Sequence, residues 1–200
     1  MPTELLSGRT AFETAVAEVP AGAPLAVAVT DLDSFKELND ELGHEGGDRV
    51  LRSFERTLQD SLPPEAVVAR TGGDEYAVAI PYSTPEQALI LLEKIRMHVA
   101  EEAAQGRTVD VSVGIAARPQ HAQETGDLLR AADEALFRAK REGKGRVAIY
   151  VEDKMTLKSN YYPKASLVRL AKLADATGRT EASLLREALD DLVCKYRDRL

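Results

Sequence analysis

The residues best suited to chemistry lie in the segment 70–76, which reads Arg-Thr-Gly-Gly-Asp-Glu-Tyr. A strand-like run stands on each side, AVVAR before and YAVAI after, so the segment is predicted to form the tip of a β-hairpin. Two glycines at a tip allow positive φ and leave room for a ligand beside the backbone. The carboxylates of Asp74 and Glu75 follow at once, and acid beside bare backbone suits a magnesium ion that itself carries phosphate.

A further acid stands at the end of a separate predicted strand. The apolar run 25–30, LAVAVT, is typical of a central strand covered on both faces, and Asp31 follows it directly. In a sheet that places this strand beside the hairpin, Asp31 comes close to Asp74, and such a pair of acids can form a two-metal site. The alternative is that Asp31 is only a strand-end turn residue, but its occurrence together with the Gly-Gly-Asp-Glu segment favours the metal site.

The elements that must position these acids follow from hydrophobic periodicity. Helical spacing predicts helices over about 4–18, over 34–42, from about 47, from a cap at Thr84, and over about 125–142. Strands are predicted at 25–30, on both sides of the glycine pair, at 109–116 and at 147–150. The order β-α-α-β-β-α-β-α-β contains a βαββαβ unit, so the predicted fold class is α+β with a ferredoxin-like arrangement.

Composition narrows the function classes. The 200 residues are 44% hydrophobic and carry a net charge of −7, which argues against a general nucleic-acid or membrane-surface binder. Residues 151–200 hold ten Lys and Arg against eight Asp and Glu, so the tail tolerates DNA better than the acidic remainder. The single cysteine excludes an intrachain disulfide. No apolar run approaches the ~20 residues of a membrane-spanning helix, and the protein is predicted to be cytoplasmic, without a membrane partner.

Four segments resemble the signatures of the GGDEF-family diguanylate cyclases. They are DLDSFKELNDELGHEGGD at 31–48, the loop at 70–76 with Tyr in place of Phe, VSVGIA at 111–116 and ADEALFRAKREGK at 132–144. They occur in the family's order and spacing. The resemblance implies a palm-type cyclase domain, predicted at 1–152, that condenses two GTP into the signalling molecule cyclic di-GMP and releases pyrophosphate.

The resemblance also implies the metal-binding and catalytic residues. Asp31 and Asp74 correspond to the metal-binding carboxylates, and the Leu32 carbonyl to a further ligand. Glu75 is assigned to metal binding or proton transfer, and Asp33 to a structural role. Two Mg²⁺ ions per active site are implied, with Mn²⁺ as an alternative ion.

Substrate-binding residues are implied in the same way. Phe35 and Lys36 correspond to positions that contact the triphosphate, partly through backbone amides. Asn39 and Asp48 correspond to the pair that reads guanine. An Asp accepts from the guanine N1–H and N2 amino donors, which adenine lacks. Asp48 therefore favours GTP over ATP and argues against a cyclase that makes a mixed purine dinucleotide.

Two lysines and two departures from the family pattern complete this assignment. Lys140 corresponds to a phosphate-binding lysine, and Lys144 stands where the family has Arg, which keeps the charge but loses the bidentate fork. Taken alone, both lysines could be solvated charges or partners of a helix dipole. The opening motif is shortened to LLSGRTAF at 5–12, and Pro-Pro-Glu-Ala at 63–66 lacks the Arg and Asp of the family's inhibitory site. No product inhibition by that route is expected.

Residues 153–200 are predicted to form a second module. A polar strand at 155–162 precedes two amphipathic helices that are joined by Thr-Gly-Arg-Thr at 177–180, a pattern that resembles ribbon-helix-helix domains. Elements of this size cannot bury their apolar faces alone, so a homodimer through residues 154–200 is predicted. In that family the ribbon enters DNA. The strand register and DNA binding both stay open here, because neither face of the strand is clearly basic.

Two functions are compatible with this sequence. The first is a diguanylate cyclase, a metal-dependent nucleotidyltransferase that is dimerised, and also DNA-regulated in one form of the hypothesis, through the tail. The second is a DNA-binding transcriptional regulator whose first domain senses GTP or cyclic di-GMP. The intact acids favour the enzyme, because a pure sensor does not need both metal ligands.

Overall fold

A computed structural model describes residues 3–101, 109–152, 161–177 and 180–196. The chain divides into two compact units, Met1–Asp153 and Lys154–Leu200. Nearly all of the predicted tail strand, 155–162, lies outside the described residues.

The first unit is built on one mixed sheet of six strands. In chain order they are β1 (Leu5–Ser7), β2 (Leu25–Leu32), β3 (Val67–Arg70), β4 (Glu75–Pro81), β5 (Val111–Arg118) and β6 (Val147–Ile149). Their spatial order is β1-β3-β4-β2-β5-β6, with β2 antiparallel to both β4 and β5. The inner four strands have the ferredoxin-like arrangement, so the predicted α+β class is confirmed for this unit.

Within the described residues of this unit, four helices accompany the sheet: α1 (Arg9–Val16), α2 (Phe35–Ser61), α3 (Pro85–Glu101) and α4 (Thr125–Arg141). Gly43 interrupts α2 with φ 69° and ψ 167°, which gives the two helical segments that the sequence predicts. The predicted cap of α3 is present, since the Thr84 hydroxyl accepts from the Gln87 N–H at 3.3 Å and the Gln87 side chain accepts from the Thr84 N–H at 2.9 Å.

The prediction of a first helix over 4–18 is wrong at its beginning. Residues 5–7 form β1, which pairs in parallel with β3. Gly8 has φ 86°, and its N–H donates to the Arg70 carbonyl at 2.8 Å, so the backbone turns before α1 begins. A three-residue strand has too little periodicity to be separated from the helix that follows it.

Both faces of the sheet are buried, which is why β2 reads as a continuous apolar run. One face of β2 packs with α2 and α3, through Ala26, Ala28, Leu51, Phe54, Leu92 and Ile95. The other face packs with α1 and α4, through Val27, Val29, Phe12, Leu128 and Ala132. The end of β2 is therefore held from above and below as well as from its two neighbouring strands.

In the described part of the second unit, the two predicted helices are α5 (Lys164–Thr177) and α6 (Glu181–Lys195). Ala174 is their one buried residue among the side chains that the structure describes. Large apolar side chains stay exposed: Leu167, Val168, Leu173, Leu185, Leu189, Leu192 and Val193. No helix in the described ranges is long and apolar enough to cross a membrane.

The packing of α4 on β5 depends on Gly114. A Cβ at this position would lie 2.0 Å from the Ala132 carbonyl oxygen and 2.2 Å from the Leu136 nitrogen, both of which are backbone atoms of α4. We expect Gly114→Ala to lower the free energy of unfolding by about 1–3 kcal/mol, as overpacking does in other cores. Urea unfolding followed by circular dichroism measures this change.

Gly22→Ala is the matched control, because a Cβ there meets nothing within 4 Å and Gly22 does not have positive φ. We expect this variant to stay within ~0.5 kcal/mol of the parent chain. Equal unfolding midpoints for the two variants would contradict the packing argument.

Candidate active site

The end of β2 brings Asp31 to the signature loop. Asp31 pairs in register with Glu75 on β4 and with Ser112 on β5, and directly opposed residues share a face of the sheet. The next residue, Leu32, donates its N–H to the Asp74 carbonyl at 3.3 Å. The structure therefore brings together the end of the central strand and the acidic loop, as the sequence predicts.

The Asp31 carboxylate is nearly buried and carries a close counter-charge. The residue is 8% exposed, and its Oδ2 lies 2.6 Å from Nζ of Lys140 near the end of α4. The pKa of this carboxyl is raised, chiefly by burial; Lys140 acts in the opposite direction, and the nearby charges of Asp74 and Asp33 add to the rise. Asp31 thus lies in a setting that disfavours its charged form in spite of the contact with Lys140.

This setting fits a divalent cation. The two carboxylates of Asp31 and Asp74, together with the Leu32 carbonyl, are the hard oxygen donors that Mg²⁺ prefers. In the described part of the chain no group of three or more His, Cys, Asp or Glu side chains could hold a metal. The predicted ligand set differs from such a group, because it uses two side chains and a backbone carbonyl. Glu75 is exposed at the start of β4.

The Asp33 carboxylate joins the loop after β2 to β5 and to the turn after α4. Its carboxylate accepts from the Ser112 hydroxyl at 2.8 and 2.9 Å and from the Gly145 N–H at 2.9 Å. These bonds hold the turn after α4 against the loop after β2. They are consistent with the structural role that the family resemblance implies for Asp33.

The two predicted phosphate-binding lysines have specific partners. Lys140 contacts Asp31, as described above. Lys144, at φ 62°, donates from its ammonium to the hydroxyl of Ser34, itself at φ 57°, over 3.2 Å. Although Lys144 is exposed, it reaches across to the loop that precedes α2, so neither lysine is merely a solvated charge.

The N-terminus of α2 faces the same region. Ser34 precedes the helix without a side-chain capping bond, and the first backbone amides of a helix favour anions. Lys36 is exposed in the first turn. Phe35 packs partly buried against the core, so any contact that it makes with a phosphate would come from its backbone.

Asn39 and Asp48 are brought together by the break at Gly43. A Cβ on Gly47 would lie 1.7 Å from the Asn39 side-chain oxygen, so the Asn39 amide rests directly on the Gly47 backbone. Asp48 is the next residue and is exposed. The predicted guanine-reading pair therefore lies on facing segments of α2.

The glycine pair of the loop leaves the predicted room beside the backbone at Gly73 but does not have the predicted positive φ. Neither Gly72 nor Gly73 has positive φ. A Cβ on Gly72 would lie 2.9 Å from a carboxylate oxygen of Glu75, whereas a Cβ on Gly73 would meet nothing within 4 Å. A side chain at residue 72 would crowd the end of the exposed Glu75 side chain, which can move aside, and neither position requires glycine for a left-handed conformation.

Sequence reasoning missed Ser112 and Glu55. Ser112 holds Asp33 from a strand 79 positions away. Glu55, on α2, accepts a hydrogen bond from Tyr76 at 2.9 Å. Neither lies at a spacing that marks it, although Ser112 belongs to the VSVGIA segment that carries the family resemblance.

A mixed sheet with a ferredoxin-like centre, and an acidic pair where its central strand meets a glycine-rich hairpin, is the arrangement of a nucleotidyl cyclase domain. Residues 6–146 match the family described as "Diguanylate cyclase, GGDEF domain". The chain belongs to this family, and the prediction of a diguanylate cyclase is confirmed at the level of the family.

Relatives and solved structures agree with this assignment. The chain is 35% identical over 156 residues to "Diguanylate cyclase DosC" of Escherichia coli, covering 74% of this chain and 34% of that protein. The active GGEEF domain of a diguanylate cyclase from Vibrio cholerae superposes with a TM-score of 0.68 at 30% identity, covering 75% of this chain and 100% of that one. The GGDEF domain of DgcB from Caulobacter crescentus, solved with c-di-GMP, gives 0.65 at 30% identity, covering 74% and 92%. The chain thus spans about a third of the length of the curated relative.

The contact between Gly47 and Asn39 gives a test of the guanine-reading assignment. We expect Gly47→Ala to displace the Asn39 amide and to weaken GTP binding about tenfold, a cost of ~1.4 kcal/mol that is typical of a lost hydrogen bond. Stability should change little, because alanine favours the helix and the obstacle is a side-chain end. Calorimetric titration with GTP and thermal unfolding measure the two effects.

Gly126→Ala in α4 is the matched control, since a Cβ there meets nothing within 4 Å. It should leave GTP affinity unchanged. Unchanged affinity in Gly47→Ala as well would show that Asn39 does not read the base.

Proposed function

We propose that this chain is a diguanylate cyclase whose active site lies at 1–152. The observation that carries the proposal is the meeting of Asp31 with the Gly-Gly-Asp-Glu loop, beside Lys140 and the N-terminus of α2. The similarity of the chain to an active GGEEF domain and to a GGDEF domain solved with c-di-GMP supports the same reaction.

In the proposed reaction the 3′-hydroxyl oxygen of one GTP attacks the α-phosphate of a second. A phosphodiester bond forms, the bond between the α- and β-phosphates breaks, the hydroxyl proton is released and pyrophosphate leaves. A second such step closes the ring and gives cyclic di-GMP and a second pyrophosphate. Each subunit contributes one GTP, so a lone subunit has half of the reaction centre.

Asp31, Asp74 and the Leu32 carbonyl are the residues that would hold Mg²⁺, or Mn²⁺ in its place, with Glu75 at the same edge. Two such ions, when bound, would neutralise charge on the phosphates and lower the pKa of the attacking hydroxyl. Burial, together with the charges of Asp74 and Asp33, raises the pKa of Asp31, and cations bound beside this carboxylate would favour its charged form.

The remaining residues bind and orient the nucleotide. The backbone amides at Phe35 and Lys36 and the ammonium groups of Lys140 and Lys144 would contact the triphosphate. Asp48 would accept from the two guanine donors, and the Asn39 amide would donate to a guanine acceptor. This division of roles gives a preference for GTP over ATP.

For residues 153–200 we propose a ribbon-helix-helix domain that dimerises the chain. The support is the apolar face of α6, where Leu185, Leu189, Leu192 and Val193 recur at helical spacing and stay exposed. A second copy is the simplest cover for such a face, and it would raise the local concentration of the second half-site. Binding of DNA by the ribbon is a separate step, which a dimer would permit but does not need.

The first experiment incubates the full chain with GTP and Mg²⁺ and analyses the products by mass spectrometry. We expect cyclic di-GMP and pyrophosphate from GTP, and no cyclic dinucleotide from ATP. Asp74→Ala should lower the rate at least 100-fold, because it removes a proposed metal ligand. Asp60→Ala, which changes an exposed acid near the end of α2, is the control and should keep full activity. Activity that survives Asp74→Ala would remove the site assignment.

The second experiment tests the dimer by sedimentation. The parent chain should sediment as a dimer, and Leu189→Glu combined with Leu192→Glu should sediment as a monomer. The monomer's rate per subunit should fall about tenfold or more at low protein concentration and recover as concentration rises, because the half-sites then meet by diffusion.

Asp191→Lys, which changes a charge on the opposite side of α6, is the matched control and should stay dimeric. A chain that ends at residue 152 should behave like the monomeric variant. Full activity in that shortened chain at low concentration would exclude the proposed role of the tail.

A further inference from the structure

We propose that Arg70 is a positioning residue for the signature loop, and that Glu55 and Tyr76 hold it in place. The inference rests on the proposed cyclase function for its kinetic consequence and on contacts among described residues for its geometry. It assigns a role to three residues that lie outside the metal and substrate sets above.

The Arg70 guanidinium donates hydrogen bonds to two carbonyl groups of the loop. Its Nη2 donates to the Gly73 carbonyl at 2.6 Å, and its Nε lies 3.2 Å from the same oxygen and 3.3 Å from the Gly72 carbonyl. One guanidinium edge thus binds two successive peptide oxygens at the tip of the hairpin. Only the planar fork of arginine offers this pattern of donors.

These bonds decide which way the loop's amides face. In a trans peptide the N–H points opposite to the C=O. Because Arg70 holds the carbonyls of Gly72 and Gly73, the N–H groups of Gly73 and Asp74 are directed away from the guanidinium. Gly73 also has open space where a Cβ would be. Arg70 therefore fixes the bare backbone surface that leads into the proposed metal ligand Asp74.

A second set of contacts holds Arg70 itself. Its Nη1 lies 3.6 Å from Oε1 of Glu55, and the Tyr76 hydroxyl donates to the same oxygen at 2.9 Å. The guanidinium carbon also lies 5.9 Å from the centre of the Tyr76 ring. The same Glu55 oxygen thus contacts both the Arg70 guanidinium and the Tyr76 hydroxyl. Glu55 therefore holds Arg70 on the side that does not face the loop.

Tyr76 is a rigid support for this arrangement. The residue is fully buried, and its ring packs edge-on against Phe54 with centroids 5.1 Å apart. Burial, together with the bond to Glu55 and its charge, raises the pKa of the hydroxyl, so it remains a donor. The family pattern has Phe here, so the hydroxyl is a feature of this chain. The hydroxyl donates to Glu55 on α2, and Glu55 in turn contacts Arg70, whose guanidinium binds the loop carbonyls.

The test compares Arg70→Lys, Tyr76→Phe and the double variant. Arg70→Lys keeps the charge but loses the fork, so we expect kcat to fall about tenfold while KM for GTP changes less than about twofold. Tyr76→Phe keeps the ring, and kcat should fall about threefold. The double variant should match Arg70→Lys alone, because both changes act through one link and coupled changes are not additive. Arg130→Lys, in an exposed ion pair on α4, is the control and should leave kcat unchanged.

A readout independent of turnover separates this inference from the proposed function. In protein labelled with ¹⁵N-glycine, Arg70→Lys and Tyr76→Phe should shift the amide resonances of Gly72 and Gly73, and Arg130→Lys should not. If the parent chain makes no cyclic di-GMP but these shifts occur, the proposed function fails and the positioning role stands. A Tyr76→Phe variant with unchanged glycine resonances, or a double variant whose losses in kcat multiply, would overturn the inference.

Discussion

The site depends on keeping a charged carboxylate at the end of a strand that is buried on both faces. An isolated buried charge is costly, so the surroundings of Asp31 must supply compensation. Lys140 supplies one positive charge at 2.6 Å. That single charge does not offset the burial and the neighbouring acids, since the pKa of Asp31 is still raised. A further positive charge beside Asp31 would favour its charged form.

The close packing of α4 on β5 is what allows that compensation. Gly114 lets the backbone of the helix approach the strand, and Lys140 lies near the end of the same helix. The turn after α4 is then tied back by the Gly145 N–H to Asp33. One helix and its following turn thus carry Lys140 to Asp31 at the end of β2 and Lys144 to Ser34 in the loop after it, and a looser helix–sheet contact would weaken both contacts.

Local sequence patterns predicted most of the helices and strands, and the predicted strand order placed Asp31 beside the acidic loop. The apolar run of β2 and the glycine hairpin were sufficient to place Asp31 beside the acidic loop, because a ferredoxin-like order makes those strands neighbours. The strand at Leu5–Ser7 was missed because three residues carry almost no periodic signal. The bonds from Ser112 to Asp33 and from Tyr76 to Glu55 join residues 79 and 21 positions apart, and such pairings follow from packing that no local pattern encodes.

The two units place different demands on the chain. The first buries a core on both faces of its sheet within one copy of the chain and presents polar groups at one end of that sheet, although some large apolar side chains such as Phe137 stay exposed. Its proposed reaction needs a second copy of the chain, because cyclisation joins two nucleotides that are held on separate subunits. The described helices of the second unit differ, since they leave large apolar side chains exposed and bury only Ala174 among the side chains that the structure describes. A tail whose own stability requires association would therefore make turnover depend on the concentration of the chain. A ligand that favours or opposes that association would then change the rate.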